Sequence, residues 1–329
     1  MTTNFLKPLN RGFFYATSTW FYTFKNVTSQ PINEKNMSGA LKEVRNRIKS
    51  VQSTQQITKA MKMVSAAKLR RAQDSIVQMR PYAQKLQEML SNIIGSAEGD
   101  VSMALAKERA IEKVLLIVIT SDRGLCGGYN SNLIKLAKSD IKEKYATQFA
   151  NGKVKILPLG KKGYEHFSKN KFNVVDNYWG IFSDISFENV AAAAKYAMDA
   201  FAKGEIDAVD IVYSEFKNAA TQAFVAERFL PVKKAETKKG EAKADFIFEP
   251  NKEVLIEQLM PKILNTQLYK AILDANASEH GARMTAMDKA TENANELLKG
   301  LKISYNRARQ AAITTELTEI VSGAAALQG

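Results

Sequence analysis

The residues best placed to do chemistry lie in one stretch, Asp122-Arg123-Gly124-Leu125-Cys126-Gly127-Gly128-Tyr129-Asn130. A glycine-rich turn after a strand and before a helix can cradle a phosphate on backbone N–H groups. This one lacks the lysine followed by Ser/Thr of a phosphate loop, and it lacks the spacing of the dinucleotide fingerprint. The competing reading is a tight structural turn in which Gly124, Gly127 and Gly128 supply positive φ or close packing. Cys126 stands where a helix N-terminus would stabilise a thiolate nucleophile. Neither His166 nor His280 lies near it in sequence to serve as its base, so a small buried residue is the favoured reading. Two histidines so far apart also argue against a His-based metal site. No catalytic residue, metal or cofactor is therefore assigned.

The elements around this loop are legible from periodicity. Val114–Thr120 is a continuous apolar, β-branched run, the pattern of a strand buried on both faces. A helix is expected from about Ser131 to Ala146, a strand at Val154–Leu157, a helix at Lys161–Ser168 and a short strand at Phe172–Val175. An alanine-rich helix follows at Phe187–Ala202, then a strand at Ala208–Glu215 with Ala223–Leu230 pairing beside it. Strands alternating with helices predict a parallel-type open α/β sheet, a Rossmann-like central domain. Asp122 and Arg123 are placed to tie its loop to a neighbouring rod.

That rod is read from the two ends of the chain. Met284, Met287, Ala294, Leu298, Leu301, Tyr305, Ala308 and Ala312 recur at alternating three- and four-residue steps, a heptad seam. A second seam begins at Leu41, Val44, Ile48 and Val51 and resumes at Leu69, Ala72, Ile76, Met79, Ala83, Leu86, Leu90 and Ile93. The two helices can close as an antiparallel coiled coil. Between them the first seam reads Gln55, Thr58, Lys62 and Ser65, while Ile57, Met61 and Val64 sit about one place off register. Such a drift predicts altered supercoiling or a different partner at that level. Pro81 and Pro261 are expected to kink or break their helices.

The domain reading is a disordered extension over 1–36, an N-terminal coiled-coil helix over 37–94, a central α/β domain over 95–250 and a C-terminal coiled-coil helix over 251–329. The extension is aromatic and Ser/Thr-rich with no acid before Glu34. It reads as a targeting segment or as sequence upstream of a start at Met37. Residues 95–110 read as a linker and Lys233–Ala244 as a mobile loop.

Charge points to partners. The chain carries +13, and residues 37–94 hold eleven basic against three acidic side chains, whereas 251–329 balances. An acidic protein partner for the first helix is favoured over nucleic acid, because that segment has one aromatic, Tyr82, and no nucleic-acid module. A single cysteine excludes an internal disulfide. The longest clean apolar run, Val114–Ile119, is far short of the roughly 20 residues that span a bilayer.

Three separated stretches carry a resemblance. Lys42-Glu43-Val44-Arg45-Asn46-Arg47-Ile48 with Gln56–Val64 resembles the opening helix of the F-type ATP synthase gamma subunit family. Ser121–Gly128 is similar to that family's central-domain loop, and Tyr305–Val321 to its carboxy-terminal signature. The resemblance covers 37–327. It implies a non-catalytic central rotor stalk that transmits torque between a membrane c-ring and a catalytic ring of alpha and beta subunits, with the epsilon subunit as a further partner. It implies proton-driven ATP synthesis, with no nucleic acid and no small-molecule substrate on this chain. By the same resemblance Met61 and Lys62 face an acidic loop of the ring, and Arg309, Gln310, Thr314 and Glu316 contact ring loops. The chain departs from the chloroplast type, whose regulatory dithiol one cysteine cannot form. Met37-Ser38-Gly39 matches a bacterial start. The expected place is the cytoplasmic face of a bacterial inner membrane, the alternative being the matrix side of a mitochondrial one.

Overall fold

A computed structural model describes residues 37–96, 105, 109–232 and 252–328. The expectations for 1–36, for most of the 95–110 linker, for Lys233–Ala244 and for the side chains of Leu90 and Ile93 lie outside the described residues. The chain divides into two compact units, one spanning Thr54–Asn295, the other running up to Ser53 and from Glu296 onward.

The larger unit is built on β1 (Val114–Ile119), every residue of which is buried. Its side chains alternate between two cores, as a two-residue period requires. Leu115, Ile117 and Ile119 join one cluster, and Val114, Leu116 and Val118 the other. A run that must satisfy two apolar faces can contain no polar residue, which explains the unbroken sequence. After β1 come α2 (Tyr129–Lys144), α3 (Ala146–Ala150), β2 (Val154–Leu159), α4 (Lys161–Lys169), β3 (Asn173–Val174), α5 (Phe187–Ala202), β4 (Ala208–Phe216) and β5 (Gln222–Leu230). They are bracketed by α1 (Met37–Ser96) and α6 (Lys252–Gln328).

The sheet order is β3-β2-β1-β4-β5. The first four strands are parallel, and β5 runs antiparallel to β4. The connection from β4 to β5 is too short for a crossover and can only be a hairpin. Asn218 Oδ1 holds that turn by accepting from Ala220 N at 3.0 Å and Thr221 N at 2.6 Å. Helix α2 covers one face with Leu133, Ala137 and Ile141. Helix α5 covers the other, where Ala193, Ala194 and Ala197 leave no exposed surface and allow close approach. Ser186 caps α5 by accepting from Asn189 N at 3.3 Å. Helix α6 packs on the same face through Leu264, Leu268, Ala271 and Ile272.

Leu69, Ala72 and Ile76 of α1 meet Leu273 and Ala277 of α6 in a separate apolar cluster. Lower in residue number the seam turns polar rather than drifting. Thr58 and Ser65 are buried, at 8% and 3% exposure, while Ile57 and Val64 are 59% and 58% exposed. The heptad register therefore continues through polar side chains, while Ile57 and Val64 face outward and Met61 is half-buried. Thr58 and Thr291 bring their hydroxyls within 2.8 Å, and Gln55 bonds to Asn295.

The helix breaks that are one expected outcome at the prolines do not occur. Pro81 lies inside α1 and Pro261 inside α6, and neither ends its helix. A helical proline frees the carbonyl four residues earlier. Pro81 and Val77 are both exposed, so water can reach the carbonyl freed in α1.

In the smaller unit the side chains of Leu41, Val44, Ile48 and Val51 are half-buried, as are Leu301, Tyr305, Ala308 and Ala312. Leu298 is buried. Arg45 Nη2 donates to Tyr305 Oη at 2.9 Å, and its guanidinium lies 5.7 Å from the ring centre. Beyond Thr315 every side chain of α6 as far as Leu327 is exposed.

Candidate functional site

The loop after β1 is a clamped structural turn. Ser121 Oγ donates to Arg123 O at 2.7 Å, and Asn130 Oδ1 accepts from Ser121 N at 3.0 Å. The positive-φ positions are Leu125 and Gly127, at 64° and 62°, whereas Gly128 has φ −79°. Of the three glycines expected to supply positive φ or close packing, Gly127 is the one with positive φ. Leu125 stands 66% exposed at the tip.

The tie from this loop to α6 runs through main-chain carbonyls. Arg283 Nη2 donates to Arg123 O at 3.0 Å and Gly124 O at 3.3 Å, and its Nη1 pairs with Glu279 one turn away. Tyr129 Oη donates to Ala275 O at 2.9 Å. Asp122 instead accepts from Lys161 N at 3.0 Å, at the start of α4. Of the two residues expected to make the tie, Arg123 does so through its carbonyl, whereas Asp122 holds a neighbouring helix instead. A loop that presents carbonyls to a buried guanidinium is the reverse of a phosphate cradle, which presents N–H groups.

Burial pushes the Cys126 thiol above its ordinary range, opposite to what a nucleophilic thiolate needs. Burial likewise raises the Glu279 carboxyl, against the pull of Arg283, and depresses His280 to about 4. Burial is the main reason His280 stays neutral, and the Arg283 and Lys68 cations add to it. Among the described residues no group of three or more His, Cys, Asp or Glu side chains could hold a metal.

The remaining sequence candidates lie elsewhere. Met61 is half-buried on α1, and the neighbouring Lys62 pairs with Asp288 of α6 at 2.5 Å. Arg309, Gln310, Thr314 and Glu316 are all exposed on α6 in the smaller unit. Gln310 and Thr314 are one turn apart, and Thr314 Oγ1 donates to Gln310 O at 2.9 Å. Arg309 and Glu316 are two turns apart and share a helix side.

Two buried polar groups escaped the sequence reading. One is the Arg283–Glu279 pair, whose i,i+4 spacing was the available signal. The other is Asp210, 1% exposed within β4, which accepts from Tyr145 Oη at 2.5 Å and Arg228 Nε at 2.5 Å. A lone acid in a buried strand requires such partners, but their identity is a tertiary fact.

A five-stranded sheet of this order, bracketed by two long terminal helices, defines a class that comparison identifies. A family model described as ATP synthase matches residues 40–327. The chain is 53% identical over 291 residues to the ATP synthase gamma chain of Cytophaga hutchinsonii, covering 88% of this chain and 99% of the relative. It is 50% identical to the gamma chain of Chlorobium phaeobacteroides, with the same coverage. The chain belongs to the ATP synthase gamma chain family. Among solved structures, it is similar to a chain of the Tetrahymena thermophila mitochondrial ATP synthase central stalk and c-ring. There the TM-score is 0.51 at 26% identity, over 71% of this chain and 99% of that one. A chain of the Euglena gracilis mitochondrial ATP synthase rotor shares the fold, with TM-score 0.61 at 22% identity over 84% of this chain and 99% of that one.

Proposed function

We propose that this chain is the central rotor stalk of a proton-translocating F-type ATP synthase, a non-catalytic subunit that carries torque between a membrane c-ring and a ring of alpha and beta subunits. The observation that carries the reading is the carboxy-terminal part of α6. Ile320 and Val321 are each 67% exposed and Leu327 is 90% exposed, on a stretch otherwise made of small uncharged residues from Ser322 to Ala326. Such a surface suits an apolar sleeve in which a shaft must turn without forming ion pairs.

Stiffness comes from paired helices, and Arg309, Gln310, Thr314 and Glu316 supply exposed hydrogen-bonding groups for the ring's loops. Met61 and Lys62 face an acidic loop, consistent with the basic balance of 37–94. The central α/β domain meets the epsilon subunit and the c-ring. Rotation then drives each catalytic site through different affinities by differential contact, which couples proton flow to ATPase activity. The domain boundaries follow the same division, with coiled-coil helices at 37–94 and 251–329 and the α/β domain at 95–250. Among the described residues no helix is long and apolar enough to cross a membrane, so attachment runs through the assembly. The place is the cytoplasmic face of a bacterial inner membrane, in keeping with bacterial relatives.

The test is affinity purification of the tagged chain from native membranes in mild detergent, with subunit identification and an ATPase assay. Two related nucleotide-binding subunits in threefold excess, with activity, are expected. Recovery alone, or with nucleic acid, would overturn the reading.

A further inference from the structure

A cavity of about 580 Å³ opens in the larger unit between α1, the β4–β5 hairpin and α6. Its apolar wall is formed by Met79, Phe229, Met260 and Leu264. Its polar wall carries Glu215, Glu227 and Asp274, with Arg80 and Lys270 also lining it. Arg228 lines it too, but that guanidinium is already held by Asp210 and Tyr145.

Asp274 is the anomaly. It is 4% exposed, yet among the described residues it accepts no hydrogen bond and forms no ion pair. A buried carboxylate is ordinarily satisfied several times over, because leaving it bare is costly. Here the carboxylate borders a cavity instead of a protein donor. We infer that this cavity is a binding site for a small organic cation, an ammonium or guanidinium on a short apolar body, with Asp274 as its counter-ion. The apolar wall accommodates the body, and the low-dielectric setting strengthens the charge-assisted hydrogen bond. An anion is disfavoured beside Asp274, where Glu215 and Glu227 add negative charge.

The groups facing Asp274 fit this assignment. On balance its carboxyl is raised to about 6: burial, Glu215 of β4 and Glu227 of β5 push it up, and Lys270 of α6 and Arg80 of α1 pull it down without pairing. A ligand ammonium would supply the charge the protein withholds. Binding should then weaken on acidification, because at one unit below 6 only about a tenth of the carboxyl is ionised.

The probe is n-hexylamine, titrated calorimetrically into the purified full-length chain at pH 7.5, with n-hexanol as the uncharged control. Saturable one-site binding of the amine, about tenfold or more tighter than the alcohol, is expected. Asp274→Asn should lose at least about tenfold in amine affinity while leaving the weak alcohol binding unchanged, and a shift to pH 5 should cost wild type a similar factor. The variant should fold, since it removes a buried charge, and circular dichroism checks this. Absence of saturable amine binding, equal affinity for amine and alcohol, or amine binding unaltered by Asp274→Asn would each overturn the site and leave a solvent-filled cavity.

Discussion

Lys62 and Asp288 form an ion pair across α1 and α6, with 2.5 Å between Nζ and Oδ1, at the level where the seam is polar. Both side chains are close to half-exposed, so the pair is worth about 0.2–1 kcal/mol and is screened by salt. Asp288→Asn should shift the unfolding free energy by no more than that, with the difference vanishing in high salt. Chemical denaturation at two ionic strengths measures it.

The same pair bears on Met61. Lys62 has its partner within the chain, whereas a lysine introduced at position 61 would add a cation without that partner. Met61→Lys should then form new ion pairs with an acidic loop of the catalytic ring and lower coupling several-fold. The readout is ATP-driven proton pumping against hydrolysis in reconstituted complex. Pumping equal to wild type would contradict the contact assigned to Met61.

Arg283 is a stronger case because its pair with Glu279 is buried, at 9% and 8% side-chain exposure. Arg283→Met leaves Glu279 uncompensated and releases the Arg123 and Gly124 carbonyls, so a loss of about 3–5 kcal/mol is expected. The double variant Arg283→Met with Glu279→Leu removes both charges and should recover much of that stability. Denaturation of wild type, single and double variants forms the cycle that checks it.

Two glycines should differ in cost. At Gly127 a Cβ would meet Ala286 at an ordinary 3.6 Å, so alanine pays only for φ +62°, about 1–2 kcal/mol. At Gly160, with φ +121°, a Cβ would collide with the Thr120 carbonyl, which is fixed backbone beside β1. Gly160→Ala should therefore destabilise the fold more than Gly127→Ala, and thermal melts of the two rank them.

The depth to which the sequence could be read follows from how local each cause is. The run Val114–Ile119 announces its burial because both faces of one strand need apolar residues, and the spacing from Leu298 to Ala312 announces a helix seam for the same kind of reason. The antiparallel turn of β5 depended on a hairpin held by Asn218. Thr58 and Ser65 looked like a broken seam because polar residues there are satisfied only by Thr291 and neighbouring carbonyls, which lie far away in sequence or in the helix backbone. The turn around Cys126 was legible as a turn, but its clamp, Arg283, lies some 160 positions along the chain.

Asp274, which is buried, and His280, which is half-buried, give stability opposite pH dependences. Asp274 has a folded-state pKa raised to about 6 from 3.8, so the folded state binds the proton more tightly, and stability from this group falls as pH rises from about 4 to 6. His280 is depressed to about 4 from 6.5, so the unfolded state binds the proton more tightly, and stability falls as pH drops from about 6.5 to 4. Asp274→Asn should thus stabilise the protein at pH 7.5 by on the order of 1–3 kcal/mol. His280→Gln should flatten the loss seen on acidification. Denaturation midpoints from pH 4 to 7.5 separate the two.

The most direct test is rotation itself. A Glu143→Cys substitution on exposed α2 gives a thiol for a bead, the native Cys126 being buried. With the catalytic ring of the purified complex fixed to a surface, ATP should turn the bead in one direction with three equal pauses per revolution. A bead that stays still while the same complex hydrolyses ATP would contradict the rotor assignment.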